Sequence, residues 1–171
     1  IDSFEKAVSP RTKAIFIESI ANPGGIISDI EAIAKVARRA GVPLIVDNTM
    51  ASPYLCRPIE HGANIVVHSA TKFLGGHGNS LGGIIVDAGN FDWSRENRYP
   101  MLCEPRPEYN GLVFHQNFGN FALAVACRAL GLRDLGPCIS PFNAFQILTG
   151  IETLPLRMQR HTDNAKAVAE F

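Results

Sequence analysis

Three clusters of polar side chains in the first half of the chain contain residue types that can perform acid–base and covalent chemistry. In chain order they are Glu18 with Asn22, Asp47-Asn48-Thr49, and Ser69 with Thr71 and Lys72. Asn22, Asp47 and Lys72 follow one another at intervals of 25 residues. If the fold gathers the three clusters, carboxylates, amides, hydroxyls and an amine converge at one place.

The elements that would gather them are strands, because an apolar run precedes each cluster. These runs cover residues 14–17, 43–46 and 64–67, and a fourth covers 83–86. Apolar runs without alternation, separated by helical stretches, are typical of a parallel sheet covered on both faces. We therefore predict an α/β fold with a mostly parallel sheet and helices on both faces. Ligands of such sheets bind beyond the carboxyl ends of the strands, which is where the clusters fall.

Helix signals separate the predicted strands. Ser28 and Glu31 match a capping box, and an apolar stripe of helical period follows as far as Gly41. Later in the chain we expect a helix at about 121–130, a second that begins with Ser140 as N-cap and Pro141, and a last one from about residue 155 to the end. Residues 90–119 are rich in Pro, Asn and Arg with scattered aromatics, and they predict a long ordered insertion.

Composition limits the possible partners. The 171 residues carry 16 Lys and Arg against 16 Asp and Glu, and 46% of them are apolar, which is typical of a globular domain. Zero net charge argues against a nucleic-acid partner or an acidic membrane surface. No apolar run approaches the roughly 20 residues that span a bilayer. The four cysteines lack the spacing of a zinc site or a disulfide framework, so we predict no metal and free thiols in a cytoplasmic protein.

Aspartate and lysine at neighbouring strand ends suit pyridoxal 5'-phosphate (PLP) chemistry. The amine of Lys72 can form a Schiff base with the cofactor aldehyde, while Asp47 can keep the pyridine nitrogen protonated. Ser69 and Thr71 are placed to bind the phosphate, and Asn22 to bind the ring hydroxyl. Each residue alone could be a turn or a solvated loop residue, so the prediction depends on the joint pattern. The Gly-rich segment 75–83 matches neither a P-loop nor a dinucleotide-binding fingerprint.

The same residues carry a family resemblance. The segments around Glu18–Asn22, Val46–Thr49 and His68–Gly78 resemble the Cys/Met-metabolism (transsulfuration) family of PLP enzymes, which have fold type I. The resemblance covers essentially the whole chain. It implies that Lys72 is the Schiff-base lysine and general acid/base, Asp47 the pyridinium partner, Ser69 and Thr71 phosphate ligands, and Asn22 a ring contact.

The insertion and the segments after it are most similar to the O-acetylhomoserine sulfhydrylases of that family. This branch implies γ-replacement, in which O-acetyl-L-homoserine and sulfide, or another thiol, give L-homocysteine and acetate. Two alternatives stay open. The protein could be another transsulfuration enzyme (cystathionine γ-synthase, cystathionine lyase or methionine γ-lyase), or a non-catalytic fragment that keeps the fold.

The resemblance also implies a domain organisation. Residues 1–150 correspond to the C-terminal part of the PLP-binding large domain, with 90–119 as an insertion. Residues 151–171 correspond to a helix that leads toward a C-terminal domain outside this sequence, so we expect a piece of a longer enzyme. The family implies a homo-oligomer, a dimer of dimers, that acts on a small amino acid.

Four histidines have no role that the motif assigns, and for three of them we expect a structural position. We expect His61 at a helix end before Gly62 and His68 buried on its strand. His161 is expected on a solvated helix face, and His115 is a candidate for reaching the site from the insertion.

Overall fold

A four-stranded sheet with the strand order β1-β2-β3-β4 forms the centre of the fold. The computed structural model describes residues 1–171, except for the side chain of Glu96. The strands are β1 (Ile15–Glu18), β2 (Leu44–Asp47), β3 (Ile65–Ser69) and β4 (Gly83–Asp87). The first three are parallel, and β4 is antiparallel to β3. The predicted α/β class with a mostly parallel sheet is therefore confirmed.

Eight α-helices surround the sheet. They are α1 (Asp2–Ala7), α2 (Ile30–Ala40), α3 (Ser52–Leu55), α4 (Pro100–Cys103), α5 (Phe114–Phe118), α6 (Ala122–Ala126), α7 (Pro141–Glu152) and α8 (Leu154–Glu170). Short 3-10 helices cover Pro58–His61, Arg95–Asn97, Pro107–Tyr109 and Gly119–Phe121. The helix predicted at 121–130 is present as α6, continued by a π-helix (Cys127–Leu135). None of these helices, as described, is long and apolar enough to cross a membrane.

The start of α2 differs from the capping box predicted at Ser28. The N-cap is Asp29, whose side chain accepts a hydrogen bond from the Ala32 amide at 3.0 Å. The Ser28 hydroxyl instead donates to the Glu18 carbonyl at 2.7 Å and so bonds strand β1. Gly41 ends the helix as predicted, in the left-handed conformation that its missing side chain permits.

Alternate residues of the strands point to two different cores. On one face Ile17, Leu44 and Val46 pack with the apolar stripe of α2. On the other face Ile45, Ile65 and Val67 pack against the segment from Phe91 to Leu130. Residues 90–119, which were predicted to be ordered, thus form short helices whose aromatic residues cover the second face of the sheet.

The loop after β3 packs against the C-terminal helices. Ala70 and Leu74 form a third core with Ile147 of α7 and with Leu154 and Met158 of α8. The predicted N-cap is present, because the Ser140 hydroxyl accepts from the Asn143 amide at 3.1 Å and Pro141 opens α7. Both helices therefore lie beside the segment that contains Lys72.

Candidate active site

A cavity of about 700 Å³ opens at the carboxyl ends of β1, β2 and β3. All five predicted site residues line it, namely Asn22, Asp47, Ser69, Thr71 and Lys72. The parallel register brings them together, since Glu18 of β1 pairs with Asp47 of β2 and both strands end at the same edge. Glu18, Thr49, Phe73, Arg157 and His161 complete the polar and aromatic lining.

Thr49 connects the clusters that follow β2 and β3. Its amide donates to Asp47 Oδ1 at 2.9 Å, and its hydroxyl oxygen accepts from the Ser69 amide at 2.8 Å. Asp47 Oδ2 receives no hydrogen bond from any side chain or amide that the structure describes. One carboxylate oxygen is therefore used to orient Asp47, and the other remains available to a ligand.

A hairpin-like loop after β1 holds Asn22 at the cavity. The Asn22 amide donates to Glu18 Oε2 at 2.7 Å, and Ile20 forms an isolated antiparallel bridge with Ile27. The Asn22 side chain is exposed and can turn toward the cavity. Glu18 thus stabilises the loop that carries Asn22 by accepting this hydrogen bond.

A tight turn directly after β3 contains Lys72. The Lys72 amide donates to the Ser69 carbonyl at 3.2 Å, and the Gly76 amide donates to the Lys72 carbonyl at 2.8 Å. The Lys72 amine has no ion pair or hydrogen bond with any described residue. Its side chain therefore enters the cavity with its nitrogen available for chemistry.

Thr71 connects this turn by hydrogen bonds to Gly82, the residue before β4. Its hydroxyl oxygen accepts from the Gly82 amide at 3.1 Å and lies 3.3 Å from the Gly82 carbonyl, to which it donates. A phosphate bound by Thr71 would therefore compete with the Gly82 carbonyl for the hydroxyl proton.

Three of the four histidines follow the sequence-based expectation, and the candidate His115 does not reach the cavity. His68 is buried, and this burial lowers its pKa against the opposing effect of the negative charge of Asp47. His61 ends a 3-10 helix before Gly62, with Nδ1 3.1 Å from Glu31 Oε1. His161 is exposed on α8 as expected, and it also borders the cavity, where its ring meets the Phe73 ring edge-on with the centroids 5.4 Å apart. His115 lies on α5, which packs against one face of the sheet. It therefore does not line the cavity at the carboxyl ends of the strands.

Arg157 and His161 are cavity residues that sequence reasoning missed. The guanidinium of Arg157 donates to the carbonyls of Phe73 and Gly150, each at 2.8 Å. Phe73 and Arg157 lie 84 positions apart in the sequence, and no motif in α8 marks the contact. Among the described residues no group of three His, Cys, Asp or Glu side chains could hold a metal ion.

Comparisons with known proteins agree on one family. The sequence profile described as Cys/Met metabolism PLP-dependent enzyme matches residues 1–171. An O-acetyl-L-homoserine sulfhydrylase of Leptospira meyeri is 54% identical over 178 aligned residues, which cover 99% of this chain and 40% of that protein.

Two solved structures are similar to this chain, one of them more closely than the other. A Campylobacter jejuni protein assigned as an O-acetylhomoserine (thiol)-lyase, crystallised with N'-pyridoxyl-lysine-5'-monophosphate, superposes with a TM-score of 0.91 at 38% identity. The match covers 99% of this chain and 41% of that one. The cystathionine gamma-lyase of Lactobacillus plantarum superposes with a TM-score of 0.69 at 32% identity, over 99% of this chain and 36% of that one. The chain thus spans about two fifths of the length of these relatives.

Proposed function

Because the chain belongs to the Cys/Met-metabolism family of PLP-dependent enzymes, we propose that it provides the cofactor-binding centre of a γ-replacement enzyme. The substrates would be O-acetyl-L-homoserine and sulfide, and the products L-homocysteine and acetate. The observation that carries the proposal is the convergence of Asn22, Asp47, Ser69, Thr71 and Lys72 on one cavity.

The groups in the cavity fit PLP. Lys72 offers an unpaired amine for the aldehyde, and Asp47 Oδ2 offers a free carboxylate oxygen for the protonated ring nitrogen. The Ser69 hydroxyl can donate to the phosphate, and its backbone is held by Thr49 at 2.8 Å. The side-chain amide of Asn22 can hydrogen-bond to the hydroxyl of the pyridine ring. Bound in this way, PLP would supply an electron sink for the carbon that loses its proton.

Each side chain then has a defined task in the reaction. The Lys72 amine accepts the α-proton of the substrate and helps to move protons at the β-carbon. Asp47, oriented by the Thr49 amide, accepts a hydrogen bond from the ring nitrogen throughout. The γ-carbon loses acetate and gains the sulfur of sulfide, and the proton that sulfide loses balances the charge of the departing acetate.

The sulfhydrylase branch is supported by structural similarity. The superposition is closer to the protein assigned as a thiol-lyase than to the cystathionine gamma-lyase. The sequence after the Gly-His-Gly stretch agrees with this, because Asn79-Ser80 stand where the family resemblance implies an acidic residue in the lyases. The second candidate function is that of another transsulfuration enzyme, which would use the same cofactor site.

Replacing Lys72 tests the cofactor role. In the full-length protein, Lys72→Ala should lose the visible PLP absorbance that borohydride fixes, and turnover should fall by about 10²–10⁴-fold. Lys35→Ala, which removes an exposed amine from α2, is the matched control and should keep both. A Lys72→Ala protein with the absorbance and turnover of the wild type would refute the proposal.

A direct assay separates the two candidate reactions. We expect the purified protein to form homocysteine from O-acetyl-L-homoserine and sulfide faster than it cleaves cystathionine. Faster cleavage of cystathionine would support the second candidate, another transsulfuration enzyme. PLP binding without either reaction would favour a non-catalytic chain.

The assembly and location are part of the same proposal. We propose a cytoplasmic homotetramer, a dimer of dimers, in which neighbouring subunits cover the open sides of the cavity. The support is the neutral net charge and the exposure of Lys72 and Asn22 in the single chain. Light scattering of the full-length protein measures the mass that this assembly requires.

A further inference from the structure

We propose that Arg157 is a positioning residue for Lys72. Its guanidinium holds the backbone directly after Lys72 and thereby sets the direction in which the Lys72 amine enters the cavity. The inference rests on the proposed function, because it assigns Arg157 a task in the same site. It adds a residue of α8, far from the lysine motif in sequence, to that site.

The hydrogen bonds of Arg157 join three segments. Nη1 donates to the Phe73 carbonyl at 2.8 Å, and Nη2 is 3.4 Å from the Leu74 carbonyl. Nη2 also donates to the Gly150 carbonyl at 2.8 Å, and Nε donates to the Thr153 hydroxyl at 3.0 Å. The planar guanidinium therefore links the two residues after Lys72 to the end of α7 and the start of α8.

The charge of Arg157 is directed to carbonyl oxygens. No carboxylate among the described residues forms an ion pair with it. Hydrogen bonds from a charged donor are stronger than those from a neutral one, and the fixed fork of the guanidinium reaches several acceptors at once. The contact is therefore built to fix a backbone conformation.

Glycines make this close contact possible. A Cβ atom at Gly76 would lie 2.7 Å from Arg157 Cζ, and one at Gly150 would lie 2.0 Å from the Gly75 carbonyl oxygen. Gly76 also has φ of +76°, which a side chain would disfavour. The turn after Lys72 is thus pressed against Arg157 and α7 with no side chain between them.

The consequence for Lys72 follows from its place in the turn. Lys72 immediately precedes Phe73, and the bonded Phe73 carbonyl fixes the peptide plane between Phe73 and Leu74, so the chain that leaves Lys72 has less freedom to move. Without the guanidinium, the amine would sample more directions and spend less time where it can accept the α-proton.

Hydrogen exchange of the protein without cofactor tests the positioning directly. In Arg157→Lys, which keeps the charge but loses the fork, the amides of residues 73–76 should exchange faster, while the core of α2 stays protected. Arg160→Ala removes the other arginine within one turn of α8 and should leave that exchange unchanged. Equal exchange of the turn in Arg157→Lys and wild type would overturn the inference.

A second readout uses the full-length protein loaded with PLP. Arg157→Lys should shift the pH midpoint of the visible absorbance, and its kcat should fall by about 10–100-fold while KM changes by less than about twofold. A loss confined to thermal stability, with pH midpoint and kcat unchanged, would make Arg157 merely structural and overturn the inference.

The outcomes keep the two proposals separate. If the wild type forms no PLP absorbance fixed at Lys72, the proposed function fails, whereas the exchange experiment still decides whether Arg157 holds the turn. If Arg157→Lys does not fold, the exchange of the Arg157 Nη protons in the wild type is measured by NMR instead. Slower exchange of these protons than of the exposed Arg160 guanidinium supports the inference, and equal exchange overturns it.

Discussion

At the scale of single residues, Thr49 shows how the site is organised before any ligand binds. One residue orients Asp47 through its amide and Ser69 through its hydroxyl. The Asp-Asn-Thr sequence is an ordinary turn signal when read alone, and in the structure it is a turn. The same hydrogen bonds that shape the turn also fix the distance between two groups that we assign to the cofactor.

Replacing Thr49 should reveal this double role. Thr49→Val leaves the partly buried Ser69 amide without its acceptor, which should lower the free energy of unfolding by about 1–3 kcal/mol. Urea denaturation measures the change. Thr49→Ser keeps the hydroxyl and is the matched control. A Thr49→Val protein as stable as Thr49→Ser would contradict the assigned hydrogen bond.

His68 should make stability depend on pH. Burial lowers its pKa in the folded chain, so the unfolded chain, whose histidine pKa is about 6.5, binds the proton first as the pH falls. The stability is therefore present in full above about pH 6.5 and is lost as the pH falls through the lower pKa of the folded state.

Denaturation curves of wild type and His68→Gln, measured between pH 5 and pH 8, test this dependence. The loss of stability at acidic pH should be smaller in the variant, because glutamine does not titrate. The other four histidines remain in both proteins, so the difference between the curves isolates His68. Parallel curves would show that burial does not perturb His68.

At the scale of secondary structure elements, α7 and the lysine turn meet backbone to backbone. Gly150 lies so close to the Gly75 carbonyl that no side chain fits between the helix and the turn. The two glycines come from segments that carry no common motif. Their contact is a consequence of how Ile147 and Met158 pack on Ala70 and Leu74.

Gly150→Ala should separate α7 from the turn. The added methyl group would lie 2.0 Å from the Gly75 carbonyl oxygen, and relief of this overlap should cost about 1–3 kcal/mol of unfolding free energy. Gly131→Ala is the control, since a Cβ there meets nothing within 4 Å. Equal stability of the two variants in urea would contradict the close approach.

The sequence predicts the elements that carry local signals and misses the contacts that do not. The strands ending at Glu18, Asp47 and Ser69 were predictable because apolar runs and polar ends mark them, and so was the stripe of α2. The N-cap of α2 was predicted one residue too early, because the sequence does not reveal that Ser28 bonds the strand carbonyl. Arg157 and His161 were missed because only tertiary packing brings α8 to the cavity.

At the scale of the whole molecule, much apolar surface lies open. On β4, which is an outer strand of the sheet, Ile84 and Ile85 are 41% and 59% exposed. Phe142, Phe145 and Leu148 form an exposed stripe on α7. Outer strands with apolar side chains and free backbone groups pair readily with other chains.

Residues 1–171 expressed alone should therefore self-associate. Light scattering after size exclusion should give a mass above 18.6 kDa that rises with concentration. Ile85→Lys, which places a charge on the outer strand, should lower that mass. Ala167→Lys adds the same charge at an exposed position of α8 and should not. A monomer at all concentrations would contradict this expectation.

The link between Arg157 and Phe73 also has a consequence for the order of events during synthesis. The ribosome adds roughly 5–20 residues per second, so the 84 residues that separate Phe73 from Arg157 take roughly 4–17 s to appear. During that interval the sheet edge with Asp47, Ser69 and Lys72 has already been translated, but the turn after Lys72 still lacks the hydrogen bonds of Arg157. If Lys72 binds PLP as proposed, a cofactor that arrives in this interval meets a lysine turn that Arg157 does not yet hold, and the turn reaches its final geometry only after α8 has emerged.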